Sequence, residues 1–200
     1  MKRGKFIVFE GLDGSGQSTQ VGRLASVLKK NKIKVHTTKE PTNNLIGGLI
    51  RGQLRGDWKS SPECLQLLFA ADRAHHLEKE IEPYLKKGIT VISDRYFFST
   101  MAFGSLEISD RQWLKDINRR FPLPDIAFYL QVSPRNCIKR IKEDRFSFEL
   151  FEKEKKLEEI EKDYKKIAKE YKSFEVIDGE RQVEEITEEI KNKALTKFFK

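Results

Sequence analysis

The stretch GLDGSGQST, Gly11 to Thr19, follows the short apolar run FIVFE and precedes a segment with apolar residues at helical spacing. It fits the phosphate-binding pattern G-x-x-x-x-G-K-[ST] at every position except one, where Gln17 replaces the lysine. Glycines at 11, 14 and 16 let backbone N–H groups converge on an anion without side chains in the way. The helix that follows points its partially positive N-terminus at the same place. Leu12, Asp13 and Ser15 complete the loop, Ser18 offers a hydroxyl to Mg²⁺, and Thr19 follows in the first turn. A unit charge about 4 Å from a phosphate is worth roughly 4 kcal/mol at an effective dielectric near 20. Losing it without replacement costs on the order of 10²–10³-fold in rate. Gln17 still has a neutral hydrogen bond to give, so the change weakens catalysis without abolishing it.

Outward from this loop the chain alternates strand and helix. After KFIVFE comes a helix with Val21, Leu24, Ala25 and Leu28 on one face, then a second strand, IKVHTT, broken at Pro41. LIGGLIRGQLRG reads as a short helix. From Pro62 to about Lys87 the spacing predicts one helix, with Leu65, Leu68, Phe69, Ala71, Leu77, Ile81 and Leu85 on a broad apolar face and Pro62 at its first position. ITVISDR, IAFYLQV and FEVID complete five strands. DRQWLKDINRR, SPRNCIKRIKED, a charged stretch from about Phe148 to Tyr171, and QVEEITEEIKNKALTKFF are the remaining helices. Such alternation predicts an α/β fold, a five-stranded parallel sheet flanked by helices, with ligands at the carboxyl ends of the strands. No repeat, linker or low-complexity tract interrupts the 200 residues, which read as one domain.

Composition narrows the classes of function. The net charge of +8 is spread through mixed-sign stretches such as KEKKLEEIEKDYKKIAKE, which suits polyphosphate ligands and speaks against nucleic acid as the main partner. Abundant Lys and Glu point to a hot-living source. Cys64 and Cys137 lie far apart with no C-x-x-C spacing and read as free thiols in a reducing cytoplasm. His36, His75 and His76 show no zinc-ligand spacing with them. No apolar run reaches the roughly 18 residues of a membrane span, and MKRGKFIVFEG runs into a strand with no room for a signal peptide.

Five ordered segments, FEGLDGSGQSTQ, KEPTN, FAADRAHH, SDRYFFSTMAF and DIAFYLQVSPRNCIKRI, resemble the thymidylate kinases, which move the γ-phosphoryl group of ATP to dTMP. The resemblance runs nearly the whole length of the chain and implies a P-loop nucleoside monophosphate kinase fold, ATP and Mg²⁺ as cofactors, and a homodimer. It gives Asp94 and Arg95 to metal and phosphates, where the planar fork of arginine suits phosphate oxygens; a strand-end ion pair is the lesser alternative when the pair is read alone. It brings Asp13 to the sugar 3′-hydroxyl of the acceptor, although a turn-stabilising role fits the residue as well. It gives Arg51 to the dTMP phosphate, Phe69 to stacking on thymine, Arg73 to the base edge, and Glu40 and Pro41 to an acceptor-side turn. Phe69 and Arg73 are one turn apart on a helix face and can address one base; periodicity alone would leave Phe69 in the core. Ser99, Thr100 and Phe103 fall on the sugar and base pocket.

The sequence also departs from that family. Thr100 and Phe103 stand where Asn and Tyr are usual, and Gly104 and Ser105 occupy the place of a glutamine, which opens the choice between dTMP and other pyrimidine monophosphates. The segment from Lys139 to Glu149 resembles the lid that closes over ATP, and with Ser15 in the loop's variable place Arg140 and Arg145 become the cations that stand in for the lysine, with Lys142 behind them. Two rivals remain open at this level. One is a nucleoside kinase using Glu10 as a carboxylate base. The other is a module that holds nucleotide without turning it over.

Overall fold

All five apolar runs form strands of one parallel sheet: β1 (Phe6–Gly11), β2 (Val35–Lys39), β3 (Thr90–Asp94), β4 (Ile126–Gln131) and β5 (Phe174–Asp178), in the order β2-β3-β1-β4-β5. The computed structural model describes residues 3–141 and 149–199, without the side chains of 149–153. Lys142 and Arg145 therefore lie outside the described residues, as does most of the expected lid.

The sheet is covered on both faces, which explains why its central strands read as unbroken apolar runs rather than alternating ones. Phe6 and Val8 of β1 point to one side, into a core that contains Leu77, Phe98, Ile160 and Tyr164. Ile7 and Phe9 point to the other, against Leu24 and Leu28 of α1 (Gln17–Lys30) and Ile186 and Ile190 of α9 (Val183–Phe198). β1 lies between β3 and β4, so the chain leaves its carboxyl end in the crevice where connections diverge to opposite sides. The register places Phe9 beside Asp94, and the Arg95 N–H donates to the Phe9 carbonyl at 2.9 Å. The loops after β1 and β3 are thereby fixed side by side.

Several helices match the sequence reading. These are α1, α2 (Leu45–Arg55), α7 (Pro134–Ile141), α8 (Glu149–Glu170) and α9. Four departures stand out. The helix expected from Pro62 onward begins as α3 (Pro62–His76), with Cys64 N–H donating to Ser61 Oγ at 3.2 Å, and then widens into a π-turn at Leu77–Ile81 before α4 (Glu82–Lys86). Pro83 has no N–H to give Lys79, and the Glu82 N–H reaches back to Leu77 instead. Its face is also different from the expected one. Ala71 is exposed, while Gln66, Asp72, Arg73 and His76 are buried. Finally, YFFSTMAFG contains a helix that the pattern hides, α5 (Phe97–Gly104), and the helix at 110–120 is only α6 (Arg111–Asp116). α5 is buried nearly all round and opens with no side-chain cap, so it carries neither an amphipathic period nor a start signal.

Phe128 in β4 is fully buried and meets the Phe9 ring at 5.4 Å between centroids. Phe128→Ala is expected to remove about 3–5 kcal/mol of stability, read as a lowered urea midpoint with an unchanged m-value.

Candidate active site

The loop after β1 is shaped for a phosphate chain. Gly14 and Gly16 take left-handed conformations, with φ of 83° and 95°. A Cβ on Gly14 would lie 2.6 Å from the Cys137 carbonyl oxygen and 2.9 Å from Ile141 Cγ1, so α7 packs straight onto the loop. α1 starts at Gln17 with no side-chain cap, which leaves its first N–H groups free for an anion. Ser15 Oγ and Gln17 Nε2 are buried with no hydrogen-bond partner, two more donors that a phosphate chain would satisfy. The cavity along Leu12 to Thr19 has a volume of about 450 Å³ and takes in Lys39, Asp94 and Arg140.

Ser18 Oγ donates to Asp94 Oδ2 at 2.5 Å. One hydroxyl and one carboxylate suit a Mg²⁺ ion that draws its other ligands from phosphate and water. Among the described residues no cluster of three or more His, Cys, Asp or Glu side chains offers a protein cage instead. Arg140 leans over the loop from α7, its Nη2 donating to the Gly179 carbonyl at 3.0 Å and its Nη1 directed at that of Ser15 at 3.4 Å. The start of α7 is held by Glu180, whose carboxylate accepts from Ser133 Oγ (2.6 Å), Ser133 N–H (3.0 Å) and Asn136 Nδ2 (2.8 Å). These donors hold its pKa down at about 2.

A second cavity, about 540 Å³, opens beside the first. Phe69 and Arg73 of α3, Thr100 and Phe103 of α5, and the Glu40–Pro41 turn line it. Arg73 is buried and held from every direction: Nε donates to Glu40 Oε2 (2.9 Å), Nη1 to Asn118 Oδ1 (2.5 Å) and Nη2 to Thr100 Oγ1 (3.0 Å). Glu40 is equally buried, so it is no solvated turn residue; its other oxygen meets His76 Nδ1 at 3.1 Å. His76 Nε2 in turn lies 2.7 Å from Thr38 Oγ1. Asp72 accepts from the Thr42 N–H (2.8 Å) and hydroxyl (2.6 Å). Arg51 is not among the cavity's lining residues; from α2 it donates to the Thr42 carbonyl, beside the same turn.

The two cavities share Asp13, Glu40 and Arg95. Arg95 sits in the left-handed region, with φ of 73°, a conformation that costs energy in a non-glycine residue and is held here by its bonds. Nη1 donates to the Gly11 carbonyl (3.0 Å) and to Ser99 Oγ (3.0 Å), and Nη2 to Asp13 Oδ1 (2.6 Å). Its guanidinium lies 5.1 Å from the Phe103 ring centre. Beneath it Glu10 is fully buried, accepting from Tyr96 N–H (2.9 Å), Ser99 Oγ (2.5 Å) and Tyr164 OH (2.9 Å). Burial pushes the Glu10 carboxyl up to about 7 against these donors. With both oxygens engaged below the floor, Glu10 does not face the second cavity as a nucleoside-kinase base would.

Lys156 and Glu159 of α8, Tyr96 and Gln66 also line the second cavity, and the sequence did not single them out. Their spacing on α8 is that of any charged helix face. Gln66 and Asn118 had no signal because polar residues at buried positions are found only once their partners are.

A family model described as thymidylate kinase matches residues 9–190. A protein of Sulfurisphaera tokodaii named "Probable thymidylate kinase" is 42% identical over 161 residues, 80% of each chain. One of Methanococcus aeolicus with the same name is 46% identical over 160 residues, 80% of this chain and 77% of its own. A third, of Thermococcus kodakarensis, is 42% identical over 166 residues, 77% of this chain and 80% of its own.

The buried Glu10 makes stability depend on pH. Its carboxyl ordinarily ionises near 4.5 and in the fold near 7, so the folded state binds the extra proton. The stability it contributes is whole below pH 4.5 and is lost as pH rises through about 7; the total is roughly 3 kcal/mol. Glu10→Gln is expected to remove that fall, and urea unfolding of parent and variant across this range measures it.

Proposed function

The chain belongs to the thymidylate kinase family, and on that premise we propose that it moves the γ-phosphoryl group of Mg·ATP to dTMP, giving dTDP and ADP. The observation that carries the reading is the pair of cavities joined at Asp13, Glu40 and Arg95. A protein that only held nucleotide would have no need of the second. The acceptor phosphate is ionised at neutral pH, so no strong base is required. The protein's task is to hold two polyanions in line and neutralise them.

Gly11 to Thr19 cradle the donor's phosphates, and Ser18 with Asp94 would hold the Mg²⁺ ion. That ion would add charge neutralisation between the phosphates. Arg95 lies where the transferred group passes, and Asp13, paired with it, addresses the acceptor sugar together with Ser99. Phe69 and Phe103 offer ring faces to the base, with Thr100 and Arg73 at its edge. Arg51 would take the acceptor phosphate by leaving the Thr42 carbonyl, a short movement of a long side chain. Arg140, with Arg145 from the lid at about 139–149, supplies the charge that Gln17 lacks.

The reading extends to a single 1–200 domain working in a reducing cytoplasm, with Cys64 and Cys137 free. It extends also to a homodimer, supported by exposed Leu45, Leu49 and Leu67 on α2 and α3. Among the described residues no helix is long and apolar enough to cross a membrane.

With Mg·ATP and a panel of acceptors, dTMP is expected to yield dTDP faster than dUMP, dCMP or thymidine; phosphorylation of thymidine but not dTMP would sink the proposal. Arg140→Ala is expected to lower kcat at least about tenfold while leaving KM for dTMP within about threefold. Gln17→Lys is expected to keep ATP binding and to change kcat by less than about 10²-fold, because the loop is built around an amide.

A further inference from the structure

Most polar side chains of the acceptor cavity are already paired with one another, Arg73 with Glu40, Asn118 and Thr100 above all. Gln66 is different. It lies on α3, lines the cavity and is only 5% exposed, yet its Oε1 is buried with no hydrogen-bond partner. A covered amide oxygen without a donor is destabilising, and an apolar side chain of the same size would serve better if packing were the task. α5 leaves room for that amide. A Cβ on Gly104 would come within 3.1 Å of Gln66 Cδ and 3.2 Å of Oε1, so any larger residue there would push the amide away.

The position of Gln66 relates it to a base. Gln66, Phe69 and Arg73 follow at i, i+3 and i+7, one face of a helix, with the ring between the amide and the guanidinium. We propose that Gln66 is a specificity-determining residue that reads the imide edge of the acceptor's pyrimidine, N3–H and an adjoining carbonyl. An amide presents an acceptor and a donor side by side, and that edge presents the complementary pair, the two-bond logic by which Asn and Gln read adenine. Turned over about its terminal bond, the amide brings the unspent Oε1 from the α5 side to the N3–H. Arg73, which can only donate, favours a carbonyl rather than an amine beside it. A site built on such bonds rejects a base that leaves its groups unpaired more strongly than an apolar wall does.

This inference rests on the assignment of the cavity to dTMP, and the test separates the two. Gln66→Leu, with Gln66→Met as an unbranched second variant, is compared with the parent by calorimetric titration of dTMP and of its N3-methyl derivative, by steady-state kinetics and by thermal melting. Expected are a 10- to 100-fold loss of dTMP affinity, matched in KM. A kcat and an ATP KM within about threefold of the parent, and a melting temperature equal or higher, should accompany it. The parent is expected to bind N3-methyl dTMP at least about tenfold more weakly than dTMP, and the variants to bind the two alike. Unchanged dTMP affinity in both variants, or an N3-methyl penalty as large in them as in the parent, overturns the inference and leaves the function standing. A lowered melting temperature with unchanged affinity makes Gln66 a packing residue and overturns it too. A parent that binds no dTMP overturns both.

Discussion

Arg95 makes three contacts that could not coexist unless the surrounding chain were rigid: with the Gly11 carbonyl, with Ser99 and with Asp13. Each belongs to a different element, the end of β1, the helix α5 and the phosphate loop. To reach them all the residue takes a left-handed backbone, which its neighbours must hold in place. Ser93 Oγ contributes by donating to the Arg95 carbonyl at 2.8 Å, and the parallel pairing of β1 with β3 fixes the approach. The guanidinium therefore stands ready at the meeting of two cavities before any nucleotide arrives. Preorganised charge of this kind is what phosphoryl transfer demands of a protein.

The site is also a concentration of buried polarity that the sheet alone would not tolerate. Glu10, Glu40, Asp72, Arg73 and His76 are all below solvent, and each is satisfied by partners far away in sequence. Burying charge is costly unless it is paired and hydrogen-bonded. Here the pairing links the Glu40–Pro41 turn after β2 to α3 and α5, and the floor of the site to α8 through Tyr164. The helices that line one cavity are thus tied to the strand ends that line the other, and the spacing between the two is set by polar bonds as well as by packing.

Which parts of this were legible in the sequence follows from range. The strands and the loop are local signals: FIVFE followed by glycines at fixed offsets leaves little else to form. Phe69, Arg73, Asp94 and Arg95 were legible through resemblance, and the structure brings all four to the expected sheet edge. α3 was misjudged on its face, because Asp72, Arg73 and His76 count as surface residues until Thr42, Glu40 and Thr38 are found 30 or more positions earlier. α5 was invisible for the opposite reason, being apolar on nearly every side. Arg51 illustrates a third limit, since its expected role depends on a rotamer that a neighbouring carbonyl holds elsewhere.

The last turn of the sheet has a consequence for how the molecule is made. Arg140 rests on the Gly179 carbonyl, and the helix that carries it starts from groups gripped by Glu180. Both anchors come after β5, one of the two edge strands. A chain still short of that point lacks both anchors, and with them β5 and α9, whose Ile177, Ile186 and Ile190 fill one of the two cores. The side chain above the phosphate loop is thus steadied by a contact 39 positions later in the sequence, and the order in which the chain folds decides when it is in place.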